Sequence, residues 1–386
     1  MKKLGSRFGT LVLVAFIALL PVSGAAQEST SGMSEGEQMS MRGDGEGGMH
    51  MQMDMMRADS HAPVGVMGGD RMRKGMWMLS YGYMRMEMED NLIGTVNVSP
   101  EQIVTTIPNR FFGVPGQPPT LRVVATEMTT DMHMFGAMYA PTEQLTLMGM
   151  VPYVERSMKH VTFQGPAGTA RLGTFTTKSS GIGDAKLMGL FRASESGIHR
   201  VHVNAGLSLP TGSIDEEDDI LTPTGARPTQ RLPYPMQLGS GTFDLMPGVT
   251  YKRRSGGVGW GAQYLTTIRL GDNDEGYSLG DVHQVTGWGS YSWNPAVSAS
   301  LRFTARTIAE VDGIDPRIVA PVQTADPAFQ GGDRVDVGLG LNFSGQQGSW
   351  RGLRAAIEIG LPVHQDLNGP QMEADWMLTV GVKYMF

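Results

Sequence analysis

The last twelve residues alternate without a break. Trp376, Leu378, Val380, Val382, Tyr384 and Phe386 share one face, and Asp375, Met377, Thr379, Gly381, Lys383 and Met385 share the other. Successive side chains of a strand point to opposite faces, so this segment is a strand with one apolar face that carries aromatics at both ends. A soluble sandwich turns such a face inward. A membrane barrel turns it outward, with aromatic girdles at the two interfaces.

The same period recurs upstream. Trp77, Leu79, Tyr81 and Tyr83 alternate, as do Leu145, Leu147, Val151 and Tyr153, and then Val201, Val203, Ala205, Leu207 and Leu209. Further strands begin at Phe243, Val258, Val297, Val335 and Leu353, and weaker runs cover 126–139, 181–193 and 282–293. Most reach the roughly 9–11 residues that a tilted strand needs to cross a bilayer. The connections alternate long and short: about 89–125, 140–142, 160–180, 194–197, 211–240, 254–257, 271–281, 294–295, 310–332, 344–350 and 363–372. A sandwich has no reason for that rhythm, whereas bacterial barrels combine an even strand number with long outer loops and short periplasmic turns. The chain is therefore expected to be all-β, a single closed antiparallel transmembrane β-barrel of twelve strands, with Trp77–Met88 paired to Asp375–Phe386. Pro152 lies inside one strand, where its missing N–H implies a bulge.

Ahead of the barrel the pattern changes twice. Residues 1–26 read as a secretory signal, with Lys2, Lys3 and Arg7 before an apolar run from Leu11 to Leu20 and small residues at Gly24, Ala25 and Ala26. Residues 27–70 carry Gly, Ser, Glu, Asp and Met with almost nothing to build a core, and are expected to be a disordered periplasmic segment. The barrel is then residues 71–386, placed in the outer membrane. No later run approaches a membrane-spanning helix. A terminal Phe closing an amphipathic strand resembles the signal read by the barrel assembly machinery, which together with outer-membrane lipid makes up the expected partners.

Composition narrows the chemistry. There is no cysteine, so disulfides, thiolate metal sites and cysteine nucleophiles are excluded. The formal net charge of −7 argues against nucleic acid.

Three phrases carry a family resemblance: Ser180-Gly181-Ile182-Gly183-Asp184, Leu207-Ser208-Leu209-Pro210-Thr211-Gly212-Ser213, and Leu238-Gly239-Ser240-Gly241-Thr242-Phe243-Asp244-Leu245-Met246-Pro247-Gly248. Over roughly residues 70–386 the chain resembles a family of outer-membrane transporters named for the MetA pathway of phenol degradation. The resemblance implies a barrel and the passage of small solutes, apolar or aromatic.

Methionine is the compositional anomaly, with 29 in the chain and 16 of them by residue 88. Met49, His50, Met51, Met53, Met55 and Met56, with His61 nearby, pack thioethers and imidazoles closely enough to ligate a soft ion, Cu(I). This is the one cofactor the sequence suggests, and it supports an alternative function in copper binding and resistance. Within the barrel, the phase that turns Trp77 and Tyr81 to lipid turns Met84 and Met86 to the lumen, together with Met132 and Met134 on the next strand. The same phase puts Asp184, Lys186, Arg302, Arg334, Glu358 and Lys383 inside. A thioether-lined lumen suits either passage of a soft cation or simple packing, since methionine fills irregular space well. Enzymatic function is not expected: His199, His202 and His283 have no nucleophile phrase near them, and Asp215–Asp219 is a solvated acidic run.

Overall fold

The computed structural model describes residues 57–386. The strands are β1 (Trp77–Gly94), β2 (Val96–Asn97), β3 (Val123–Tyr139), β4 (Leu145–Phe163), β5 (Arg171–Ile182), β6 (Ala185–Ser196), β7 (His199–Leu209), β8 (Glu217–Asp219) and β9 (Thr229–Arg231). They continue with β10 (Asp244–Ser255), β11 (Val258–Arg269), β12 (Tyr277–Ser278), β13 (Val282–Asn294), β14 (Val297–Ile308), β15 (Asp312–Gly313), β16 (Gly332–Ser344) and β17 (Leu353–Met385). One α-helix, α1 (Pro100–Thr106), lies between β2 and β3. It is started by Pro100 and by a capping box in which Ser99 and Gln102 satisfy each other's backbone N–H.

The wall runs β1, β3, β4, β6, β7, β10, β11, β13, β14, β16, β17, every neighbour antiparallel, and β17 pairs with β1 to close it. β17 makes two passes: residues 354–367 pair with β16 and residues 367–385 with β1. Twelve passes therefore surround the lumen, and closure leaves no edge at the seam. The register there sets Met78 against Met385 and Glu87 against Trp376, the strand pairing the alternation predicts, and a shift after Glu87 then sets Met88 against Ala374. One end of the barrel carries the short turns and the Trp77–Phe386 pair; the other carries the long loops.

Leu301, Phe303, Leu339, Ile357 and Val382 are exposed on the outer face. Near the short-turn end the outer face is aromatic, with Trp77 stacked on Tyr139 at 4.4 Å and Tyr384 on Phe386 at 6.0 Å. On β1, β3 and β4 the apolar belt stops at a charged row, Arg85, Asp131 and Glu155, in which Arg85 and Asp131 stand 3.5 Å apart. Past that row these strands continue as a polar extension of the wall.

The expected loop 160–180 is corrected by this extension. β4 reaches Phe163 and β5 starts at Arg171, leaving only residues 164–170 as the connection. Above the apolar belt the outer face of β5 (Thr174, Thr176, Lys178) is exposed and its covered face carries mostly small or polar residues (Gly173, Thr177, Ser179), so no hydrophobic alternation marks it. At Pro152 the expected bulge is instead a change of partner. Below it β4 pairs with β6, with Met150 opposite Lys186; above it β4 pairs with β5, with Tyr153 opposite Ile182. A residue without an N–H fits where one ladder ends and the next begins.

Candidate solute pathway and its closures

Two sets of residues close the lumen, one at each end. At the short-turn end it is the segment ahead of β1. The stretch expected to stay disordered through residue 70 is packed from residue 58, where Ala58–Ser60 forms a turn of 3-10 helix and the Ala58 N–H donates to Pro295 O at 2.8 Å. The segment crosses the mouth, tied by backbone bonds at its two ends, Ala58 to Pro295 and Gly75 and Met76 to Ala140, and by wall side chains between them. Gly68 O accepts from Asn204 and lies 2.9 Å from His202 Nε2. Gln263 donates to Met67 O, and Thr146 Oγ1 accepts from the Met72 N–H. Asp70 is the anchor: it accepts from the Ala62 N–H, pairs with His61 at 2.9 Å and takes Lys252 as a close ion partner. The segment makes no strand pairing with the wall, which is why apolar alternation could not reveal it. Asn204 and Gln263, polar residues on inward positions of β7 and β11, were the signal that something polar lies against them.

At the long-loop end the connections fold together. Gln323 reaches Asn91 and Ala125 O, and the backbone around Val322 bridges to Val123. Arg122, fully buried, donates to the carbonyl oxygens of Gln164, Gly165 and Gly168 at 2.7–2.9 Å. Tyr234 packs edge-on against Tyr277 beneath these loops, and burial pushes both phenols up to about 12.

The three phrases that carry the family resemblance meet at one point of the wall. The Asp184 carboxylate accepts from the Gly212 N–H at 3.0 Å through one oxygen and from Ser240 through the other. Thr211 bridges the β5–β6 break, donating to Gly183 O and accepting from the Ala185 N–H, each at 2.8 Å. Thr242 donates to Asp244 at 2.6 Å, and Arg269 is the close ion partner of Asp244. Gly212 and Gly239 touch backbone to backbone, and a Cβ on Gly239 would run into the Gly212 carbonyl. Beside β5, where the wall has no further strand, this knot and the loop behind it stand in for ladder hydrogen bonds.

Asp184, one of the expected lumen positions, anchors that knot through Gly212 and Ser240. Lys186 lies one inward position further along, opposite Met150. Arg302 and Glu358 form a buried pair, with guanidinium–carboxylate contacts of 2.6 and 3.1 Å. Arg334 binds Asp336 at 3.1 Å and points N–H groups at the sulfurs of Met86 and Met377. Met84 stands opposite Met132, and Met134 opposite Gly82. Lys383 lines a small cleft with Ala62, Val64 and Arg354 at the short-turn end. Of the candidate metal ligands, His61 is the partner of Asp70, while Met49, His50, Met51, Met53, Met55 and Met56 lie outside the described residues. The histidines weighed for catalysis have other partners: His199 meets the Tyr251 hydroxyl, His283 that of Tyr264, and His202 the Gly68 carbonyl.

This is the architecture of an outer-membrane β-barrel with its lumen closed at both mouths. Among solved structures, an outer membrane channel from Pseudomonas putida F1 matches with a TM-score of 0.54 at 12% identity, over 83% of this chain and 99% of that one. The deltaS2S3 mutant of the TodX monoaromatic hydrocarbon channel matches with a TM-score of 0.42 at 10% identity, over 81% and 91%. The KdgM porin matches at 0.35 and 9%, over 80% and 99%. At these identities the likeness is one of fold. No protein-family model and no curated protein matches the sequence.

Proposed function

We propose that this chain is an outer-membrane channel for small solutes, with its short-turn end in the periplasm and residues 58–76 as the stopper of that mouth. The observation that carries this reading is how the stopper is held. Between its two ends, where Ala58 bonds Pro295 and Gly75 and Met76 bond Ala140 through the backbone, its polar anchors are side-chain hydrogen bonds and ion pairs, chief among them Asp70 with His61 and Lys252, all of which can let go without unzipping a strand ladder. A permanently filled barrel would more simply be closed by strand pairing. The family resemblance points to small apolar or aromatic solutes. The test is conductance in planar bilayers, comparing the full chain with a version lacking residues 58–72. The deletion should convert brief, low openings into a stable, larger conductance; a deletion variant that inserts, folds and stays electrically silent would refute the channel.

A second reading attaches to the segment before residue 57, where methionine takes every second position from Met49 to Met55, with His50 between the first two and Met56 following. Its chemistry is that of a Cu(I) binder in the periplasm. Replacing all of its methionines with leucine in the full chain and measuring copper tolerance of the host tests it; unchanged tolerance rejects it.

A further inference from the structure

None of the methionines among the described residues is exposed, and none stands on the lipid-facing side of the barrel. That outer face is built from Leu, Val, Ile, Phe, Tyr and Trp. A methionine used only as an apolar residue would be at least as welcome against lipid as in a lumen, because hydrocarbon accepts it readily. Its complete confinement to the inside points to the thioether itself.

The register then shows how those thioethers are laid out. In the first inward row from the short-turn end, Met385, Met78, Met138, Met148 and Met188 are direct cross-strand partners on five adjacent passes. The row continues across β7 at Gly206, which is opposite both Met188 and Met246. A Cβ on Gly206 would lie 2.9 Å from Met246 and 3.0 Å from the Met188 methyl, so the missing side chain is what lets those two meet. Met67, Met72 and Met76 of the stopper pack onto the same row.

The rows above keep the pattern. Met150 occupies the second, Met134 the third, Met84 and Met132 the fourth, and Met86 with Met377 the fifth. Met88, Met128 and Met158 form the sixth, beyond the charged row that ends the apolar belt. Successive inward rows are two residues, or about 7 Å, apart. Thioethers on flexible side chains can bridge that spacing, so no row breaks the sequence from the short-turn end to the sixth row, past the charged row.

We infer that this wall is a ladder of binding sites for a soft monovalent cation, Cu(I) or Ag(I). Uncharged thioethers prefer such ions to the harder divalent ones; facing groups in the first, fourth, fifth and sixth rows supply the two or three ligands a soft monovalent ion takes, and Met150 and Met134 stand singly between them. Among the described residues no cluster of three His, Asp or Glu is placed to hold a borderline ion, which makes Zn(II) the negative control. At the fifth row Arg334, held by Asp336, reaches both sulfurs at 3.9 and 3.8 Å, so that site fills only when the guanidinium swings away from them. The inference deepens the channel reading by naming the solute class, but binding is measured apart from conductance, so either can fail alone.

The experiment uses the full chain folded in detergent, in a background where the methionines before residue 57 are leucine. Ag(I) is titrated against a competing chelator, and the methionine methyl groups, carbon-13 labelled, are followed by NMR. Ag(I) should shift the signals of the first row at sub-stoichiometric metal, and Zn(II) should shift none. Changing Met78, Met138, Met148 and Met385 together to leucine keeps the apolar volume and should weaken the tightest binding by roughly tenfold or more, since only the soft ligands are lost. Unshifted methyl signals in the unsubstituted barrel, or equal Ag(I) affinity in a folded leucine variant, would overturn the ladder and leave the methionines as packing.

Discussion

Asp184 accepts both the backbone N–H and the hydroxyl of Ser240, each at 2.8 Å, although 56 residues separate them along the chain. This contact fastens the loop before β10 to the break between β5 and β6. With the carboxylate removed, the Gly212 and Ser240 N–H groups lose their acceptor. Asp184→Ala should therefore destabilise the barrel by about 3 kcal/mol, and Asp184→Asn by about half that, because hydrogen bonds to a charged group contribute roughly 1.5–3 kcal/mol. Denaturant unfolding in micelles gives the answer; an alanine variant as stable as the parent would show the knot to be incidental.

The Arg302–Glu358 pair is buried in the inner wall. Removing one partner strands the other, so Glu358→Ala should cost about 3–5 kcal/mol, while Arg302→Leu with Glu358→Leu together should cost much less. A double-mutant cycle on unfolding free energies measures the coupling. Simple additivity of the two single changes would mean that the charges do not support each other.

Asp70 holds the stopper through Lys252, His61 and the Ala62 N–H. Asp70→Ala should leave the wall intact and raise the open fraction in bilayer recordings, falling short of the full deletion. Gating indistinguishable from that of the parent would move the anchoring role to the Gly68 contacts with Asn204 and His202.

Tyr234 and Tyr277 lie under the long loops, with their phenols pushed up from the ordinary 10.0 to about 12 by burial. The folded state favours the neutral phenol. Stability drawn from this pair is therefore complete below pH 10 and is lost as the pH climbs through about 12. An ultraviolet phenolate titration should show two late tyrosines whose ionisation coincides with loosening of the loop cap, read as faster proteolysis of the loops. Early ionisation with the loops still protected would contradict this placement.

Much of the wall was legible because a strand buried on one face writes its orientation into every second residue. Leu301 and Phe303 against Arg302 is enough to fix a phase, and a slip of one residue would have put Arg302 in lipid. β5 was not legible, since Thr174, Thr176 and Lys178 stand exposed above the apolar belt and the covered face is mostly Gly173, Thr177 and Ser179, too small and polar to mark an alternation. The stopper was hidden for a related reason: residues 58–76 are ordered by partners on distant strands, and nothing local in their composition announces it. The knot was visible only as three unexplained phrases. Their glycines and their aspartate gain a physical reason once Gly212, Gly239 and Asp184 are seen in contact.

β5 has a consequence for how this protein fails. It pairs with β4 on one side only. Its other edge is covered by the loop behind the knot, where Asp218 receives the Lys178 N–H, Ser179 donates to Met236 O, and Leu221 sits over Gly173. The tip of that loop, residues 224–227, is exposed and open to proteases. Cutting there would loosen the cover and bare a row of unpaired N–H and C=O groups, a template for strand addition. Two nicked barrels can satisfy each other edge to edge, so nicked material should migrate as a dimer in mild detergent while intact protein stays single. The loop thus also protects the chain against self-association.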